Sequence, residues 1–408
     1  MPIGLYISVP FCRTKCTYCN FASDVFAPRK FEPYILRVCQ EIERVPETVH
    51  AMGGLLDRRV DAIYLGGGTP TLLDVTQLER LFVTLKQNFE IETTAEITLE
   101  AAPGTLSSEM VEQLVDCGVN RVSLGVQSFI DQEAAAIGRL HKRHTVGEDI
   151  SRLRAAGITN INIDLIAGLP HQTHASWRES LDQLLVAGAP HASVYMLEVD
   201  EDSRLGRELL AGGKRYHSQA VPDDDQIADF YEVAVERLAR CGLEQYEISN
   251  FAFAGHQAKQ NLKYWTRQPY LGFGVDAHSM LPSRGASAVR FSNPDSLEEY
   301  LHADLQHPTD VTQARALEET LFLGLRLNRG LDWASLVQEF GRDPVGQYQD
   351  RIAELVPLGL VIDDGCTVRL TAKGRLLSNE VFEQFVSLDS PGRPAAGHRS
   401  ADSPPVFA

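Results

Sequence analysis

The sequence predicts an α/β protein built on a partial (β/α)6 barrel, followed by a mixed extension and a small winged-helix-like C-terminal domain. Two observations carry this. First, β-rich apolar runs alternate with segments of helical apolar spacing from residue 4 to about residue 200. Second, six such units imply a parallel sheet with helices outside it, and six fall short of the eight of a closed barrel.

The strands are expected at 4–9, 61–66, 95–101, 121–126, 160–166 and 191–198. Leu5-Tyr-Ile-Ser-Val-Pro10 is stopped by proline, so the residues after it leave the C-terminal end of the first strand, where α/β folds place their chemistry. Helical spacing is clear at Leu78, Leu81, Phe82 and Leu85, and again at Trp177, Leu181, Leu184 and Leu185. The first domain is expected over 1–215. The extension over 216–310 carries the acidic run Asp223-Asp-Asp225, a helix near 226–241 and an aromatic-rich stretch from Tyr246 to Phe273. The C-terminal domain over 311–388 reads as helices at 312–327, 331–340 and 345–358, a hairpin turning at Asp364-Gly365, and a last helix at 372–386. The tail, 389–408, is rich in Pro, Gly, Ser and Ala and is expected to be disordered.

Of 408 residues, 44% are hydrophobic and 23% charged, an ordinary globular balance. No stretch approaches the apolar length of a membrane span, and Met1-Pro-Ile-Gly-Leu5 has no basic, apolar leader. A net charge of −17 disfavours nonspecific binding to nucleic acid or anionic membranes. Seven cysteines without a paired framework argue against a secreted, disulfide-bonded protein.

Cys12, Cys16 and Cys19 form a C-x3-C-x2-C loop after the first strand. Three thiolates on one loop can hold three irons of a 4Fe–4S cubane and leave the fourth open to a small molecule. A structural zinc site is the alternative; it wants four ligands, and no further Cys or His lies close by. An oxygen-sensitive cluster belongs in a reducing compartment, so a cytoplasmic protein is expected. The second strand ends in Leu65-Gly-Gly-Gly-Thr-Pro70, whose glycines allow close backbone approach to a ligand.

The cysteine loop, the barrel pattern and this glycine motif together resemble the radical SAM superfamily, and within it the branch of HemN coproporphyrinogen oxidases and HemW heme chaperones. The resemblance implies S-adenosylmethionine (SAM) chelating the open iron, and carries SAM contacts onto Tyr6, Tyr18, Gly67, Gly68, Thr69, Glu100, Gln127, Arg139 and Asp164. Of these, Tyr18, Gly68, Thr69, Gln127, Arg139 and Asp164 would contact a second SAM. The oxidases carry a fourth cysteine where this chain has Phe21, and they carry an N-terminal extension before the first strand. The heme-chaperone branch has phenylalanine there, so heme handling is expected, with hemoproteins as acceptors and a flavodoxin- or ferredoxin-type electron donor. A radical enzyme acting on a porphyrinogen is the alternative. Asn261-Leu-Lys-Tyr-Trp265 resembles the motif H-N-x-x-Y-W of that branch, with Gln260 in place of the histidine. His256, His278 and Cys241 are the other candidate heme ligands, and Tyr264 and Trp265 a candidate porphyrin wall.

Overall fold

The computed structural model describes residues 1–198, 200–302 and 308–386; the expected disordered tail lies outside them. The first six strands alternate with helices: β1 (Ile3–Val9), α1 (Phe31–Glu43) and the short α2 (Val45–Ala51), β2 (Arg59–Gly67), α3 (Val75–Asn88), β3 (Glu90–Ala101), α4 (Ser108–Cys117), β4 (Arg121–Gln127), α5 (Asp131–Ala136), α6 (Arg143–Ala155), β5 (Asn160–Ala167), α7 (His174–Ala187) and β6 (His191–Met196). All five pairings from β1 to β6 are parallel. The strands are buried on both faces, as their unbroken apolar runs require.

Local signals fix the outer helices. Asp74 and Gln77 form a capping box at the start of α3, and Thr173 and Ser176 do the same for α7. Gly118, in the left-handed conformation, ends α4.

The extension comprises α8 (Arg204–Leu210), α9 (Asp224–Arg240), β7 (Glu244–Gln245), β8 (Asn250–Ala252), α10 (Lys259–Trp265), β9 (Tyr270–Phe273), β10 (His278–Pro282), β11 (Ala288–Ser292), α11 (Leu297–His302) and β12 (Thr309–Val311). These strands prolong the parallel sheet on both sides. The order is β12-β11-β10-β9-β1-β2-β3-β4-β5-β6-β8-β7, with β9 parallel to β1 and β8 antiparallel to β6.

The C-terminal region holds α12 (Gln313–Gly324), β13 (Leu331–Asp332), α13 (Trp333–Phe340), α14 (Arg342–Leu355), β14 (Val361–Asp363), β15 (Thr367–Leu370), α15 (Ala372–Leu376) and α16 (Ser378–Glu383). It differs from the sequence expectation in two places. Residues 331–332 pair with β15 as a third strand instead of starting a helix. The last helix breaks at Leu377, whose backbone leaves the helical region and redirects α16.

One core fills the barrel; a second joins α12–α16 to Tyr264, Trp265, Tyr270 and Met280 of the extension. A buried ion cluster ties the same parts together. Glu319 on α12 accepts from Arg290 at 2.7 Å and from Arg267 at 3.1 Å. That junction closes one side of the cavity described next.

Candidate functional site

A cavity of about 760 Å³ opens at the C-terminal ends of the barrel strands. Its floor is the cysteine loop. Phe11, the residue before Cys12, stacks on Phe31 with ring centroids 3.8 Å apart and meets Tyr34 edge-on, which pins the loop to α1. Backbone bonds fix the rest: Cys12 N donates to Asp24 O at 3.0 Å, Thr17 N to Ile137 O at 3.1 Å, and Leu205 N of α8 to Thr17 O at 2.8 Å. Asn20 donates to Asp200, so the segment after β6 also clasps the loop.

The three cysteines are partly exposed and line the cavity. Burial pushes the thiols of Cys12 and Cys19 up, and the neighbouring cysteines add to this. A cationic centre bound there would favour their thiolate forms by sharing the charge. Among the described residues, no three His, Cys, Asp or Glu side chains converge on a single-ion site. A multi-iron cluster takes one thiolate per iron and needs no such convergence, so the donor set fits a cluster better than a zinc ion.

The glycine motif packs directly on this loop. Thr69 N donates to Phe11 O at 2.8 Å. A Cβ on Gly68 would lie 2.6 Å from Val9 O and 2.8 Å from Phe11 O, so only glycine fits there. Gly67 adopts φ +95° and donates its N–H to Glu100 at 3.1 Å.

Glu100 also accepts from Tyr64 at 2.7 Å. Burial pushes its carboxyl from 4.5 up to about 7, and Asp164 adds to the rise. Asp164 accepts from Asn162 at 2.6 Å and from Ser123 at 3.1 Å, and burial raises its carboxyl too. Two hindered carboxyls facing one cavity suit a cationic ligand such as the amino group of an amino acid, or ribose hydroxyls.

Arg139 donates to the Tyr18 hydroxyl at 3.3 Å. Burial opposes its charge, yet Tyr18 and Cys16 opposite more than compensate and keep it protonated. Its Nε and the Oε1 of Gln127 are buried without hydrogen-bond partners. Gln127 holds φ +68°, a strained conformation for a residue with a side chain. A bound group with a carboxylate and polar edges would satisfy both atoms.

Eleven of the twelve predicted site residues line this one cavity: Cys12, Cys16, Cys19, Tyr18, Gly67, Gly68, Thr69, Glu100, Gln127, Arg139 and Asp164. Tyr6 stands behind it, stacked on Tyr64 with centroids 6.1 Å apart. Sequence reasoning missed the polar lining deeper in the barrel. Asn162 Nδ2 donates to Ser123 at 2.7 Å and to Ser193 at 3.0 Å, while its Oδ1 meets His191 Nδ1 at 2.6 Å. Burial and then Arg121 hold His191 well below 6.5, so it is neutral at pH 7. The signal was present as polar residues on apolar strands, two apart at Asn162 and Asp164 and at His191 and Ser193, with Ser123 beside them.

The candidate heme ligands are not brought together. His256 meets Asn160 at the start of β5, His278 faces Asp276, and Cys241 is exposed at the end of α9. Gln260 is 1% exposed and packs against Gly4 at the start of β1. The motif position it occupies is core in this chain, so a histidine there would also be enclosed.

Parallel strands, a three-cysteine loop and a glycine motif around one cavity define a radical SAM protein. Residues 6–184 match the family model of the Radical SAM superfamily, and residues 311–377 match the HemN C-terminal domain. Within the superfamily the chain belongs to the HemW family. It is 32% identical over 392 residues to the heme chaperone HemW of Lactococcus lactis, covering 94% of this chain and 97% of the relative. To the heme chaperone HemW of Bacillus subtilis it is 34% identical, covering 93% and 98%. Among solved structures, the coproporphyrinogen III oxidase HemN of Escherichia coli, a radical SAM enzyme, superposes with a TM-score of 0.80 at 26% identity, over 94% of this chain and 90% of that one.

Proposed function

We propose that this protein is a heme chaperone that binds a 4Fe–4S cluster, SAM and heme, and passes heme to acceptor hemoproteins. The observation that carries the reading is the near full-length similarity to relatives named heme chaperone HemW. Phe21 agrees with it: the side chain lines the cavity beside the cysteines, at the place where the oxidases have a further thiol.

Cys12, Cys16 and Cys19 would hold the cluster. Glu100, held by the Gly67 N–H, would receive the amino end of SAM, while Arg139 and Gln127, each with an unsatisfied buried atom, would receive carboxylate and hydroxyl groups. The cluster, when bound, supplies an open iron and an electron. What the chain's own residues do is bind, orient and exclude water: the loop is held on α1, on α8 and on the glycine motif. We place the protein in the cytoplasm, with a flavodoxin- or ferredoxin-type donor reducing the cluster. No described helix is long and apolar enough to cross a membrane. The proposed units are a barrel over 1–215, an extension over 216–310 and a C-terminal domain over 311–388.

The second reading is a radical enzyme acting on a porphyrinogen, favoured by the likeness to HemN and by the enclosure of Gln260. An anaerobic heme titration of the cluster-loaded protein separates the two. Saturable, stoichiometric binding with a shifted Soret band is expected. Absence of saturable binding, together with SAM cleavage in the presence of a porphyrinogen, would establish the enzyme instead.

A further inference from the structure

The cavity extends past the SAM region to a second lobe between the barrel and the C-terminal helices. The apolar side chains there are Ile248, Trp265, Phe322, Leu323, Leu376 and Phe382, alongside the polar Ser378, Asn379 and Glu383. Four cationic side chains line the whole cavity, and three have partners. Lys15 donates to Phe21 O, Arg139 to Tyr18, and Arg121 pairs with Glu96 at 3.6 Å and donates to His256 O at 2.8 Å. The fourth is Arg326. Its Nε is buried without a partner, and no carboxylate among the described residues lies within ion-pair distance of it.

Arg326 is nevertheless held in place. Its guanidinium carbon lies 4.4 Å from the centre of the Trp265 ring and 5.9 Å from that of Phe382. The backbone on either side is tied down: Leu325 N donates to Leu321 O at 3.0 Å, Asn328 N donates to Tyr246 O at 3.0 Å, and Leu327 bridges to Glu247. A guanidinium held over an indole ring can keep N–H groups free to grip a carboxylate in two-pronged fashion.

We propose that Arg326, stacked on Trp265, anchors a carboxylate of the cavity's ligand, and that this carboxylate is a porphyrin propionate. The inference rests on the heme-carrier reading, which supplies a flat apolar macrocycle for the apolar lobe. The electrostatics agree. Burial lowers the basicity of Arg326 despite the opposing carboxylates of Glu247 and Glu198 and the phenols of Tyr195 and Tyr231. Glu247 is already engaged by Asn250 and by Ser249 N, and burial raises its own carboxyl. Neither Glu247 nor Glu198 forms an ion pair with Arg326, so an incoming propionate would supply a direct countercharge.

The test titrates full-length, cluster-loaded protein with hemin and with hemin dimethyl ester, followed by the Soret band and tryptophan quenching. Wild type is expected to prefer hemin by about tenfold or more, the worth of a charged hydrogen-bonded pair. Arg326→Gln should lose that preference. Arg326→Lys, which keeps the charge without the guanidinium's two-pronged edge, should retain part of it. Equal binding of hemin and its diester by wild type would overturn the proposal without any variant, as would an undiminished preference in Arg326→Gln whose cluster spectrum matches wild type. If wild type binds neither ligand saturably, the carrier reading falls and the anchor with it. That result is distinct from a wild type that binds heme indifferently to esterification.

Discussion

At the scale of single residues, the cysteines and Glu100 make the sharpest predictions. Cys16→Ala removes one thiolate of three, and no fourth protein ligand stands ready among the described residues. Iron and sulfide after anaerobic reconstitution should fall to background while far-ultraviolet circular dichroism stays unchanged. Retention of a full cluster would show that another residue ligates it. Glu100 gives a pH signature. Its folded value of about 7 lies above the ordinary 4.5, so the folded cofactor-free protein keeps a proton that the unfolded chain releases. The associated stability is fully present below pH 4.5 and is lost as pH rises through 7. Glu100→Gln should therefore gain about 1–2 kcal/mol on wild type between pH 5 and pH 8, a figure reduced because solvent reaches part of the carboxyl. Thermal melts at the two pH values check this, and a pH-independent difference would contradict it. A cationic amino group beside Glu100 reverses the shift, so SAM affinity should rise with pH through 7 in wild type and lose that slope in Glu100→Gln.

At the scale of elements, the barrel was legible because parallel strands buried on both faces appear as apolar runs; all six expected strands occur, with ends moved by a few residues. The cysteine loop was legible for a different reason: its three candidate ligands lie within eight positions, so their spacing is itself the signal. The SAM-side residues were legible only through family resemblance, since Gln127 ends its strand, Glu100 and Asp164 lie toward the C-terminal ends of theirs, and the three meet only once the sheet curves. The break at Leu377 and the third strand at 331–332 were not legible, because both depend on partners distant in sequence. The contact between glycine motif and cysteine loop predicts that Gly68→Ala forces the two apart. Its Cβ would press on two backbone carbonyls that cannot rotate away. A loss of about 1–3 kcal/mol in urea unfolding is expected, with faster cluster loss in air. Wild-type stability and cluster lifetime would show that the motif does not pack on the loop as described.

At the scale of the whole molecule, the carrier function depends on the C-terminal helices being docked on the barrel, since they form one wall of the cavity. Glu319 secures that docking with Arg267 and Arg290, all three nearly buried. Glu319→Ala leaves two buried guanidiniums unpaired and should cost about 3–5 kcal/mol. Heme affinity should fall as Arg326 loses its seat just after α12, while cluster assembly at the cysteine-loop end of the cavity persists. Arg326 itself escaped sequence reasoning for this reason: nothing near it in the chain marks it as part of a site, and only docking carries it into the cavity. The direct measurement of the central claim is heme transfer. Cluster-loaded, heme-bound protein is mixed anaerobically with an apo-hemoprotein, and the Soret band is followed against a free-heme scavenger as control. Heme is expected to reach the acceptor faster than it reaches the scavenger, leaving the chaperone heme-free. Heme that never leaves, or leaves for both at the same rate, would contradict it.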